Sequence, residues 1–184
     1  MTTVLYLVAS VLMIAMWRLA SAYLKFRGVR LVSCPETKKA AAVEVDARHA
    51  ALTGGIGAPA IHLKSCSHWP ERQDCGQDCL AQVEADPQGC LARAILSRWY
   101  EGKSCVYCKK AFQEMDWLEH KPTLMSPEGV TFEWREIRPE ALPEILASHV
   151  PICWNCHVAA TFRRRYPDLV LDRPWKPGEG LQSR

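Results

Sequence analysis

The chain has 184 residues, of which 48% are hydrophobic and 23% charged, and a formal net charge of +3. This is the composition of a folded protein rather than a disordered one, and the length supports one domain of ordinary size or two very small ones. So slight a positive excess argues against a dedicated nucleic-acid binder, and the sequence holds no phosphate loop, nucleophile elbow or metalloprotease helix.

The first expected element is a membrane anchor over residues 1–27. Residues 4–24 are apolar apart from Arg18, and roughly 20 such residues cross a bilayer. Arg18 sits near the C-terminal end of this run, where its side chain can snorkel to the headgroups. A cleavable signal peptide competes with the anchor, because Ala20-Ser21-Ala22 is an acceptable cleavage site, but no Lys or Arg precedes the apolar run. Lys25, Arg27 and Arg30 follow it with no acid before Glu36. The positive-inside rule therefore places the N-terminus outside and the body in the cytoplasm; the opposite orientation would leave a periplasmic body. A reducing cytoplasm keeps thiols free for metals, whereas export favours disulfides, and nine cysteines leave one over in any full pairing.

Residues 28–102 read as a cysteine-containing α+β region. Short strands are expected at 29–32, 41–46 and 60–64, with a turn at Cys34-Pro35-Glu36-Thr37 and a glycine-rich loop over 53–59. In an antiparallel meander the first and third strands run the same way, which brings Cys34 and Cys66 to one edge. Two helices follow, at 76–85 and 88–100, separated by Asp86-Pro87. Residues 103–166 contain a cysteine turn, a hairpin with strands at 123–125 and 130–135, a short helix at 140–149 and another at 154–165. The tail over 167–184, with Pro174, Pro177, Gly178 and Gly180, reads as an extended end. The expected fold class is therefore α+β, with an N-terminal transmembrane helix, a small β-meander with a helical hairpin, and a metal-stapled C-terminal module.

Four of the nine cysteines form Cys105-x-x-Cys108 and Cys153-x-x-Cys156. One tight turn lets two thiolates reach the same ion, so two such pairs complete a tetrahedral shell. The order of a cysteine turn, a hairpin and a second pair entering a helix, over residues 104–166, resembles the treble-clef family of zinc fingers. There Lys109 stands where a glycine often follows the turn, and a short helix is inserted before Cys153. The resemblance implies zinc on Cys105, Cys108, Cys153 and Cys156 and names no activity.

Cys153-Trp154-Asn155-Cys156-His157 also matches the attachment sequence of a c-type haem, with His157 as the proximal ligand. Met115, Met125, His120 or His149 could then act from the distal side, although Cys105 and Cys108 are left unexplained. A thioredoxin-like dithiol lacks the flanking strand-helix-strand pattern.

The remaining cysteines, Cys34, Cys66, Cys75, Cys79 and Cys90, could form a second centre. Cys75 and Cys79, four apart, would share a helix face, and Cys34 and Cys66 would complete a shell, with Cys90 the odd residue or the replacement for Cys34. Zinc and an iron–sulfur cluster both accept four thiolates; packing of small buried hydrophobes is the plainer account.

Arg163-Arg164-Arg165 suits a helix C-terminus or an anionic surface, and Trp69, Trp99, Trp117, Trp134, Trp154 and Trp175 suit packing near metal sites. His68 reads equally as a ligand or as a surface or supporting residue, and Glu114, Asp116, Glu119 and His120 specify no reaction. The function these features imply is non-catalytic: a membrane-anchored, zinc-stabilised module that holds a protein partner at the lipid bilayer. The alternative is an electron carrier using haem or an iron–sulfur cluster.

Overall fold

The structure, a computed structural model, describes residues 2–115, 117 and 121–170; of the tail expected to be extended over 167–184, Pro167–Leu169 form a short 3-10 helix and residues 171–184 lie outside those described. The apolar N-terminal run forms one helix, α1 (Thr2–Phe26), of 25 residues. At 1.5 Å per residue it is about 37 Å long, more than the roughly 30 Å of a hydrocarbon core, and it is long and apolar enough to cross a membrane. Val4, Tyr6, Met13 and Trp17 are exposed along it, whereas Ala22 and Phe26 are buried against the body.

A three-stranded antiparallel meander follows, β1 (Val29–Ser33), β2 (Ala40–Val45) and β3 (Leu63–Cys66), in that spatial order. Its third strand starts later than residue 60 and so carries Cys66 at its end, paired with Val43. Between β2 and β3 lies α2 (Ala47–Ile56), capped by Asp46, whose carboxylate accepts from the Arg48 and His49 N–H groups at 3.0 Å.

The loop expected over 53–59 is therefore corrected, since its first four residues are helical. Gly54 and Gly55 are the points at which α2 meets α1. A Cβ on Gly54 would lie 3.2 Å from the Ala22 Cβ, and one on Gly55 would lie 3.1 Å from Leu19 Cδ2. Each glycine costs a helix about 1 kcal/mol relative to alanine, and close docking on α1 offsets that cost.

The two expected helices of the cysteine-rich region start later than the sequence implies, as α3 (Leu80–Ala85) and α4 (Ala92–Tyr100). Gln77 has φ +58, which breaks the first, and Asp86 accepts from the Gly89 N–H at 2.7 Å, which holds a turn ahead of the second. The C-terminal half is built on a second sheet of order β5-β4-β6, formed by β4 (Thr123–Met125), β5 (Thr131–Glu133) and β6 (Val150–Ile152). Helix α5 (Leu142–Ser148) leads into β6, and α6 (Trp154–Arg165) leaves it.

Alternation along β1 divides the interior in two. Val32 points into a core with Phe26, Val43, Val45, Ala50, Leu63 and Val83, while Leu31 points into another with Leu96, Tyr100, Leu124, Ile137 and Leu142. Tyr100 donates its hydroxyl to the Thr123 carbonyl, and Trp99 Nε1 donates to the Leu146 carbonyl at 2.9 Å, so α4 is tied to the second sheet and to α5.

Arg30 has no exposed surface. Its Nη1 donates to the carbonyls of Phe26 (2.5 Å) and Gly28 (3.0 Å), its Nη2 to Lys25 (2.6 Å) and its Nε to Pro87 (3.3 Å). The last carbonyls of a helix have no partner within it and carry partial negative charge, so a buried cation here completes α1. The sequence counts Arg30 among the basic residues flanking the membrane; the structure places it inside as the cap of the helix. Arg30→Leu is expected to lower stability by about 3 kcal/mol, because it strands several buried carbonyls. Thermal unfolding in detergent checks this, with exposed Arg27→Leu as the silent control.

Candidate metal centre

The first half of the centre is a tight turn. The Cys105 N–H donates to the Lys110 carbonyl and the Lys109 N–H to the Cys105 carbonyl, both at 2.9 Å, with Lys109 at φ +62. Lysine thus adopts the left-handed conformation that glycine takes at lower cost. The second half is delivered by β6 and α6. Cys153 is the extended residue just before α6 and Cys156 lies in its first turn, where free N–H groups and the helix dipole favour negative sulfur. The halves are joined by the Val106 N–H, which donates to the Pro151 carbonyl at 3.1 Å, and by the Cys153 N–H, which donates to the Cys105 sulfur at 3.3 Å.

All four sulfurs lie within 4.8 Å of one another. The Cys108 and Cys153 sulfurs are 3.7 Å apart. A disulfide needs about 2.05 Å, whereas four sulfurs placed tetrahedrally at about 2.3 Å from zinc are about 3.8 Å apart. The spacing therefore fits thiolates around one ion, and all nine cysteines of the chain are free.

The electrostatics are divided in the same way. Burial would raise the Cys105 thiol, but the N–H groups of Cys108, Cys153 and Tyr107 outweigh it and bring Cys105 down to about 7. Burial raises Cys153, and burial together with the other three sulfurs raises Cys156. Cys105 is prepared as a thiolate, whereas Cys153 and Cys156 hold their protons until a cation displaces them.

The other candidates are distributed as follows. His157 is buried, its ring 5.5 Å from that of Trp154 and its Nδ1 without a hydrogen-bond partner; burial lowers its affinity for protons. His149 bonds Ser148 and packs on Phe132, and Met125 belongs to β4. Asp116, Glu119, His120 and Trp175 lie outside the described residues. Cys34, Cys66, Cys75 and Cys79 line a single cavity. Cys75 and Cys79 do not share a helix face, contrary to the expectation, since α3 begins only at Leu80. Cys90 lies apart, its sulfur 3.6 Å from the Gln82 carbonyl. Sequence reasoning missed β6, because Val150-Pro151-Ile152 is too short and too interrupted by proline to read as a strand; its Pro151 is tolerated at a sheet edge.

At neutral pH an ion entering this centre must displace at least the protons of Cys153 and Cys156, so affinity should fall at least about a hundredfold per unit of acidification, and more steeply below about pH 7 as Cys105 also protonates. Competitive zinc titrations between pH 8 and 6 measure this; a flat profile would contradict the proton inventory. No protein-family model matches the chain, and neither a curated protein nor a solved structure matches it.

Proposed function

We propose that this is a membrane-anchored, non-catalytic protein in which zinc on Cys105, Cys108, Cys153 and Cys156 staples a treble-clef-like module that holds a partner protein at the bilayer. The observation that carries this reading is the four sulfurs within 4.8 Å of one another, on a turn and a helix start. Their order around the β4–β5 hairpin follows the treble-clef arrangement. The sulfurs of Cys153 and Cys156 face those of Cys105 and Cys108, which favours an ion over the edge of a porphyrin. His157 is buried on α6 beside Trp154, within the electrostatic influence of Glu133 and Glu136. Zinc bound here would supply cross-linking rather than chemistry, and the chain's part is to hold four thiolates in place.

The recruiting role is supported by α6. Val158, Phe162 and Tyr166 are exposed at intervals of four, next to Arg163, Arg164 and Arg165, an apolar and basic face of the kind that binds other proteins. The basic residues Lys25 and Arg27 after α1 support a cytoplasmic body.

Full-length protein purified in detergent is expected to contain zinc by elemental analysis and to lack both a Soret band and broad iron–sulfur absorption. Chelation should sensitise residues 103–166 to proteolysis, as the paired change Cys105→Ser with Cys153→Ser should. A covalent haem band would overturn the zinc reading. A cytoplasm-specific reporter that stays silent when fused to the C-terminus would overturn the topology.

A further inference from the structure

The N-terminal sheet carries four thiols that the centre at Cys105 does not use. Cys34 follows β1, Cys66 ends β3, Cys79 immediately precedes α3, and Cys75 lies in the irregular segment between. All four line one cavity of about 30 Å³, together with His68 and Arg72.

The turn at Cys34 repeats the backbone of the turn at Cys105. The Cys34 N–H donates to the Lys39 carbonyl at 2.9 Å and the Lys38 N–H to the Cys34 carbonyl at 2.8 Å, matching the two bonds that Lys110 and Lys109 make around Cys105. The residue four positions on is left-handed in both, with φ +58 at Lys38 and +62 at Lys109. In both turns the N–H groups two and three residues on face the first sulfur: those of Glu36 and Thr37 at Cys34, and those of Tyr107 and Cys108 at Cys105. Thr37 stands where Cys108 stands, with a hydroxyl in place of a second sulfur. This turn therefore presents one thiolate and needs three more from outside itself, the number that Cys66, Cys75 and Cys79 provide.

We propose that Cys34, Cys66, Cys75 and Cys79 hold a second thiophilic divalent ion of the zinc class, with His68 supporting the shell. The His68 N–H lies 3.5 Å from the Cys66 sulfur, its ring faces Cys34, and its buried Nδ1 has no hydrogen-bond partner; such outer contacts orient ligands at metal sites. Among the described residues, only the first centre has all its ligand atoms within 4.8 Å. The ion at the second site draws its sulfurs inward, and the irregular segment carrying Cys75 lets them move. The site is separate from the first in residues and in sheet, so it stands or falls independently of the reading given above.

Native mass spectrometry of the full-length protein loaded with zinc is expected to show two ions per chain. Cys105→Ser with Cys153→Ser should halve that content, and so should Cys66→Ser with Cys79→Ser. Because the latter pair sits at the edge of the first core and could fail to fold, the unmodified chain supplies the second test. Alkylation should spare Cys34, Cys66, Cys75 and Cys79 until a chelator is added. One ion per chain, with these four thiols freely alkylated, would overturn the proposal. Broad iron–sulfur absorption retained by the Cys105→Ser, Cys153→Ser protein would overturn the single-ion assignment.

Discussion

Four sulfurs within 4.8 Å of one another are a repulsive arrangement unless a cation lies among them. Two unit charges 4 Å apart in protein surroundings repel by about 4 kcal/mol, so without an ion the cluster must keep most of its protons. The division between a lowered Cys105 and raised Cys153 and Cys156 expresses that constraint. The rest of the C-terminal half is arranged to impose it: Cys105 and Cys153 are 48 residues apart, and the intervening chain builds the hairpin and α5 before returning as β6. Closing so long a loop costs entropy, and β4 offsets it by pairing with β5 on one side and β6 on the other. Fold and ion are thus coupled: the sheet brings the sulfurs together, and an ion removes the repulsion that resists the sheet.

At the other end of the molecule, the joint between helix and body is rigid for a different reason. Only Arg27 and Gly28 separate α1 from β1, and Gly28 turns the chain at φ +99, a conformation that side chains rarely adopt, with a Cβ there 3.1 Å from Leu91 Cδ1. Arg30 then folds its guanidinium back onto the end of the helix just left. With Gly54 and Gly55 seating α2 against the same end of α1, the body has a fixed direction relative to the helix. On the reading that α1 spans a bilayer, α2, packed against the C-terminal end of α1, lies at headgroup level.

The sequence made the periodic and paired features legible. The apolar run, the meander, the hairpin around Ser126 to Gly129, α6 and the grouping of Cys105 and Cys108 with Cys153 and Cys156 all follow from spacing that local physics reads directly. What it hid depends on partners far along the chain. Gly54 and Gly55 read as a loop because glycine disfavours helices, until α1 is placed against them. Arg30 read as a flanking charge because nothing local shows that α1 ends within reach of its side chain. Strand β6 has no pattern of its own and exists because β4 offers it an edge. The late start of α3 follows from Gln77 adopting a left-handed turn, which its residue type does not announce.

The two cysteine turns show how far spacing can mislead about chemistry. Read as a motif, Cys34-Pro35-Glu36-Thr37 lacks its second sulfur and falls out of the pattern that Cys105 to Cys108 satisfies. Read as backbone, the two are alike in their hydrogen bonds, in the left-handed residue that closes them and in the N–H groups they turn onto the first sulfur. The difference lies in what surrounds them. At Cys105 the facing ligands come from the end of a paired strand and the first turn of a helix, so the sulfurs are positioned before any ion arrives. At Cys34 one facing ligand ends a strand, but Cys75 rides on a segment without regular hydrogen bonding and Cys79 only borders α3. Preorganisation is therefore nearly complete at the first site and partial at the second. At the first the protein would place an ion; at the second an ion would place the protein.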